Sequence, residues 1–172
     1  MFTSTKPEPV VLFIMLSLFF LLLPALVLAQ TAGELDIMLE TEAVSAAAAA
    51  RFVLGAVELL PPGLSGPDAE RAAFEIASSN GWLRAGAGEA INLEDTALLI
   101  MKAFDFKGGI MYSIFGNARY AYREMLYHRL IQGRSYPNMN VSGQRFLQIL
   151  GRALSYAGED EELDIMLHGD GE

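Results

Sequence analysis

Three stretches of the chain repeat one order of apolar and polar positions: 44–57 (VSAAAAARFVLGAV), 91–104 (INLEDTALLIMKAF) and 141–154 (VSGQRFLQILGRAL). They align without gaps, and their starts lie 47 and then 50 residues apart. Each opens on a β-branched residue, continues with Ser or Asn, and then sets apolar residues mostly three and four apart, as in Phe146, Ile149, Leu150 and Ala153. That period predicts a helix with one buried face. The Ser or Asn is its N-cap, because the side-chain oxygen can accept from a free amide of the first turn. In the second copy Asp95 follows Asn92 by three, which approximates a capping box and suits the helix dipole.

Further helices are predicted between these three. In PDAERAAFEIASSNGW, Pro67 takes a first-turn position, Ala69, Ala72, Ala73, Ile76 and Ala77 share a side, and Asn80-Gly81 is the stop. In GNARYAYREMLYHRLIQG, Asn117 is the cap and Gly133 the stop. A glycine- or proline-containing loop follows each of them, LRAGAGEA or RSYPNM, so the unit reads helix, loop, helix. Pro61-Pro62-Gly63 and Lys107-Gly108-Gly109 mark joints, and no run alternates strictly as a strand would.

Ahead of this lies a run of different character. Val10 to Leu28 is apolar at every position except Ser17 and Pro24, with Lys6 before it. Val27 and Ala29 stand where a signal peptidase requires small residues, so residues 1–29 read as a signal peptide cleaved after Ala29. The alternative is an uncleaved single-pass inner-membrane anchor, since 19 apolar residues can span a bilayer. Both place the remainder outside the cytoplasm, in the periplasm or the extracellular space, with Glu34 and Asp36 on the far side. A membrane is a partner only if this segment stays uncleaved.

Charge narrows the partners. Loss of residues 1–29 removes one of 12 basic and one of 21 acidic residues, so the net charge stays at −9. Such a body does not neutralise phosphates, and nucleic acid is excluded as a partner. The distribution is uneven: residues 119–152 hold six arginines and one acid, Glu124, whereas 158–172 hold seven acids and no Lys or Arg. With no cysteine there is no disulfide framework, thiolate metal site or cysteine nucleophile. His128 and His168 lack metal-ligand spacing, AGAGEA lacks the third glycine of a dinucleotide loop, and no nucleophile motif or paired carboxylates are found. No enzyme activity, cofactor or metal is expected.

Within the basic region, Arg119, Tyr120, Tyr122, Arg123, Tyr127, Arg129 and Arg134 form a candidate ligand or partner patch. Guanidinium forks and aromatic faces suit an anionic glycan. The competing reading makes the tyrosines half-buried core and the arginines a solvated face, because one helix cannot aim residues 119–129 in a single direction.

The segment 120–154 resembles an S-layer homology repeat. It has an aromatic-Ala-Tyr opening, an amphipathic helix, a hydrophobic-x-Gly stop, a Pro loop, a β-branched residue with a hydroxyl residue, and an apolar helix. Residues 72–104 resemble a looser copy, and 44–57 the last half of a first. The resemblance implies an all-α fold: a compact helical bundle of about three helix-loop-helix repeats, the first partial, that binds cell-wall polymers. The family's Thr-Arg-Ala-Glu signature is replaced by Ser45-Ala46-Ala47-Ala48, Asn92-Leu93-Glu94-Asp95 and Ser142-Gly143-Gln144-Arg145. What the resemblance implies for fold therefore carries further than what it implies for ligand.

Finally, ELDIML occurs at 34–39 and again at 162–167. Each copy places two leucines and a methionine on one edge of a helical turn. It is either a cap on the end of a bundle or a docking helix for a partner's groove. The first copy, close to the repeat helix, fits a cap. The second, with Leu163, Met166 and Leu167 in a polar tail, fits docking. The expected organisation is thus signal peptide 1–29, lead-in 30–43, repeat domain 44–157 and acidic tail 158–172. The expected function is a non-catalytic exported cell-envelope scaffold or adaptor that binds an envelope protein; the alternative is a module for a cell-wall polymer or glycan.

Overall fold

The computed structural model describes residues 33–168 in backbone, with side chains described through 159. The signal segment and the last residues of the chain lie outside the described residues, as do the side chains of Leu163, Met166 and Leu167. Two units divide the chain, Met1–Met38 and Leu39–Glu172. Among the described residues every regular element is helical: α1 (33–40), α2 (Ala46–Ala56), α3 (Gly66–Ser79), α4 (Leu93–Ala103), α5 (Ile110–Phe115), α6 (Ala118–Tyr127) and α7 (Gly143–His168). No helix among them is long and apolar enough to cross a membrane.

The caps show why these helices begin where they do. Ser45 Oγ accepts from the Ala48 amide at 3.2 Å, Asn92 Oδ1 from Asp95 at 2.9 Å, and Ser142 Oγ from Arg145 at 3.5 Å. With Asn117, whose Oδ1 accepts from the Tyr120 amide at 3.2 Å, these are the capping residues read from the sequence, and each satisfies a first-turn donor that has no partner within its helix.

Just before the caps, the three β-branched residues meet. The Val44 amide donates to the Val141 carbonyl at 2.9 Å, Val141 to Ile91 at 3.1 Å, and Ile91 to Val44 at 2.8 Å. The cycle is closed, and all three side chains are fully buried. The flanking bonds run round in the opposite sense. Ala46 donates to Glu89 and Ala47 to Ala87; one step round, Leu93 donates to Met139 and Glu94 to Pro137. At the third step Gly143 donates to Thr41, one residue further from the cycle than its counterparts reach. A cycle of single bonds can close only at one registration, so it fixes how α2, α4 and α7 start relative to one another.

From that junction α2, α4 and α7 touch one another pairwise and carry the core. The helix positions one turn in hold Ala49, Thr96 and Phe146, all fully buried. One large ring stands among two small side chains, as close packing around a shared axis requires. Phe52 meets Phe146 edge to face, with ring centres 6.4 Å apart. The buried Thr96 hydroxyl donates to the Asn92 carbonyl at 2.8 Å.

Two outer helices, α3 and α6, pack against this core. The alanine face of α3, Ala69, Ala73 and Ala77, is buried, and α3 packs on α2; α6 packs on α4 through Ala118, Ala121, Tyr122 and Met125. The packing pairs therefore differ from the helix-loop-helix unit of the sequence, in which α3 precedes α4 and α6 precedes α7. The stretch 57–65 joins the neighbours α2 and α3, and the α5-containing stretch 104–117 joins α4 and α6, while the loops 80–92 and 128–142 carry the chain across to the next cap.

Two boundaries differ from the sequence reading. The stop expected at Gly133 occurs earlier: α6 ends at Tyr127, His128 is its C-cap, and Arg129 adopts a left-handed φ of 59°. The amides of Arg129 and Leu130 then close on the carbonyls of Leu126 and Met125. The same closure follows α2 at Glu58 and α4 at Asp105, so three helices stop on non-glycine residues that glycine counting cannot find. At the other end α7 continues to His168, past residue 157, where the sequence reading places the domain edge.

The short α5 has no counterpart in the sequence reading. Tyr112 anchors it, 6% exposed, with Lys102 Nζ 5.5 Å from the ring centre. Gly108 makes this possible: a Cβ there would meet the Tyr112 ring at 2.5 Å.

Candidate functional site

The loop 128–134 leaves α6 and runs beside α7. Two arginines of α7 tie it down. Arg152 donates to the Leu130 carbonyl at 3.2 Å, and Arg145 donates to the Gln132 carbonyl at 3.2 Å while its other terminal nitrogen lies 3.0 Å from Met139 Sδ. These bonds satisfy backbone carbonyls of the loop that have no helical partner.

Between loop and helix lie two adjoining grooves of about 410 and 390 Å³, joined at Gln132, Gln148 and Arg152. The first is walled by His128, Arg129, Tyr156 and Glu159, the second by Arg134, Ser142, Gln144 and Arg145. The His128 and Tyr156 rings stand 5.0 Å apart, and Arg134 lies 5.9 Å from the centre of the Tyr136 ring. Arg129, Arg134, Arg145 and Arg152 thus line one trough. The second groove contains no carboxylate, and none of its arginines forms an ion pair among the described residues.

The residues singled out in the sequence divide among three places. Arg129 and Arg134 line the trough. Arg119 and Arg123 are exposed on α6, and Tyr127 on the same helix is 81% exposed. Tyr122 is 5% exposed and belongs to the core, and Tyr120 is half-buried with its ring stacked on Phe115 at 5.3 Å. A ten-residue helix turns through nearly three revolutions, so it cannot hold 119–127 on one face. Arg145 and Arg152 join the trough although they were outside the patch; their spacing of seven, two helical turns on α7, is the signal that could have found them. Leu163, Met166 and Leu167 fall on the helical backbone of α7, and in the first ELDIML copy Met38 is buried while Leu35 and Leu39 are exposed.

A different arginine is fully compensated. Arg84, in the loop before α4, donates to the buried Asp95 carboxylate at 2.5 Å and to Glu94 at 3.2 Å. Partial burial lowers its pKa, but the hydrogen bond and charge of Asp95, and then those of Glu94, outweigh this and hold it above the ordinary value.

A second surface is apolar. On α5, Ile110 is 78%, Ile114 67%, Phe115 57% and Met111 54% exposed. Four large apolar side chains facing water on a six-residue helix form a cluster, which differs in kind from scattered surface leucines. No group of three or more metal-ligating side chains occurs among the described residues. No family model, curated protein or solved structure matches this chain.

Proposed function

We propose that this chain is a non-catalytic exported protein of the cell envelope, acting as a scaffold or adaptor through protein contacts. The observation that carries the reading is the water-facing apolar cluster of α5. Burial of such side chains against a partner is favourable by about 25 cal/mol per Å² of apolar surface, and a helix this short gains nothing from exposing them alone. With a net charge of −9, the body suits a partner whose apolar recess has a basic rim. The hydrogen-bonded cycle of Val44, Ile91 and Val141 supports about three divergent repeats, the apolar run Val10–Leu28 with Val27 and Ala29 supports a cleaved signal peptide, and resemblance to S-layer homology repeats is the basis for placing the protein at the envelope.

The test is cross-linking of the chain to envelope proteins in intact cells, with and without Ile114→Glu and Phe115→Glu. One defined cross-linked species that vanishes in the double variant, while helicity and thermal midpoint stay unchanged, supports the adaptor. An unaltered cross-linking pattern overturns it.

A second reading, a cell-wall polymer or glycan module, is favoured by the arginine trough rather than by α5. Sedimentation with isolated wall, lost in Arg129→Ala with Arg134→Ala and retained in the α5 variant, separates the two.

A further inference from the structure

The hydrogen-bonded cycle makes one part of the molecule a reference for another. The turn at 86–90 and the turn at 136–140 are built alike: Glu89 donates to Gly86 as Met139 donates to Tyr136, and the carbonyls of 87 and 89 receive the first amides of α2 as those of 137 and 139 receive the first amides of α4. Counted from these turns, Arg134 occupies the position of Arg84, each seven residues before the β-branched residue of the cycle. Likewise Gln144 and Arg145 occupy the positions of Glu94 and Asp95.

At Arg84 the guanidinium is met by two carboxylates of its own chain. At Arg134 those carboxylates are replaced by an amide and a second cation, and a groove of about 390 Å³ lies among Arg134, Gln144, Arg145 and Arg152. Arg145 and Arg152 are held in place by loop carbonyls, so the positive charge at the groove does not disperse when a ligand is absent. Two fixed guanidinium groups beside a third that is free to reorient, with no carboxylate lining the groove, leave a positive field that an anion from outside can complement.

We infer that the groove between the 132–134 loop and the start of α7 is a subsite for a carboxylate-bearing ligand, whose carboxylate stands in for the side chain that Asp95 provides at Arg84. Arg134 supplies a free planar fork, Arg145 and Arg152 the fixed positive field, and Gln144 and Gln148 the neutral donors that select an oxygen-rich molecule. The subsite is independent of the α5 contact and requires no polymer.

The experiment is calorimetric titration of the full purified chain with succinate, with uncharged succinamide and inorganic phosphate as comparisons at matched ionic strength. Saturable binding of succinate, with succinamide silent, is expected. Arg134→Ala should weaken it tenfold or more, because the removed side chain is exposed and carries no structural bond. The paired change Gln144→Glu with Arg145→Asp, which restores the carboxylates found at Arg84, should abolish binding. Binding of succinamide as well as succinate, an unchanged affinity in Arg134→Ala, or binding of phosphate alone overturns the inference. If the paired variant does not fold, Arg134→Ala decides.

Discussion

The amide of Val44 donates to the carbonyl of Val141 at 2.9 Å and closes a cycle that runs back through Ile91. Residues from the beginning, middle and end of Leu39–Glu172 thereby meet at one point, and the three core helices all start from it.

That junction should be sensitive to volume. Ile91 is fully buried, and Ile91→Ala is expected to cost about 2–5 kcal/mol, against about 0.5–1.5 kcal/mol for Ile91→Val, because the first leaves a cavity. Urea unfolding of the two variants measures the difference. Equal losses would mean that the site collapses around the missing atoms.

The caps form a graded series. Asn92→Ala removes the shortest of the three cap bonds, 2.9 Å, and should cost ~1 kcal/mol. Ser142→Ala removes one of 3.5 Å and should cost less. Chemical denaturation of the three alanine variants should rank Asn92 first.

Asp105 is expected to be a site of easy stabilisation. Its φ of 52° is one that glycine adopts freely and an L side chain does not. Asp105→Gly should therefore raise stability by about 0.5–1 kcal/mol, offset in part by the greater freedom of glycine in the unfolded chain. The thermal midpoint reports the sign.

Tyr112 gives an alkaline signature. Burial, with the Asp105 charge second, pushes its hydroxyl up to about 12 from an ordinary value of 10.0. The folded state then keeps a proton that the unfolded chain has released, so stability is complete below pH 10 and falls as pH rises from there towards 12. The loss should reach roughly 2 kcal/mol, and Tyr112→Phe should show a flatter dependence over the same range. Unfolding free energies at successive alkaline pH values test this.

Much of the architecture is written locally. Ser45, Asn92 and Ser142 start helices wherever they are placed, since capping needs only the next three residues, and the apolar period of Phe146, Ile149, Leu150 and Ala153 fixes the inward face of α7. The trough was half legible: a run of six arginines announces positive charge, but the division of that charge among exposed α6, the loop and α7 depends on where α6 stops. It stops on Arg129, which sequence patterns do not favour, because the bonds from the amides of Arg129 and Leu130 offset the cost of a left-handed side chain.

What the sequence determined by itself, then, is helical class, cap positions and buried faces, all properties of residues within a few turns of one another. Only the tertiary structure decided that α3 pairs with α2 rather than α4, that Val44, Ile91 and Val141 close a cycle, and that Arg84 is neutralised while Arg134 is left open. Those are relations between residues tens of positions apart, and they arise from packing and hydrogen bonds that no local period encodes.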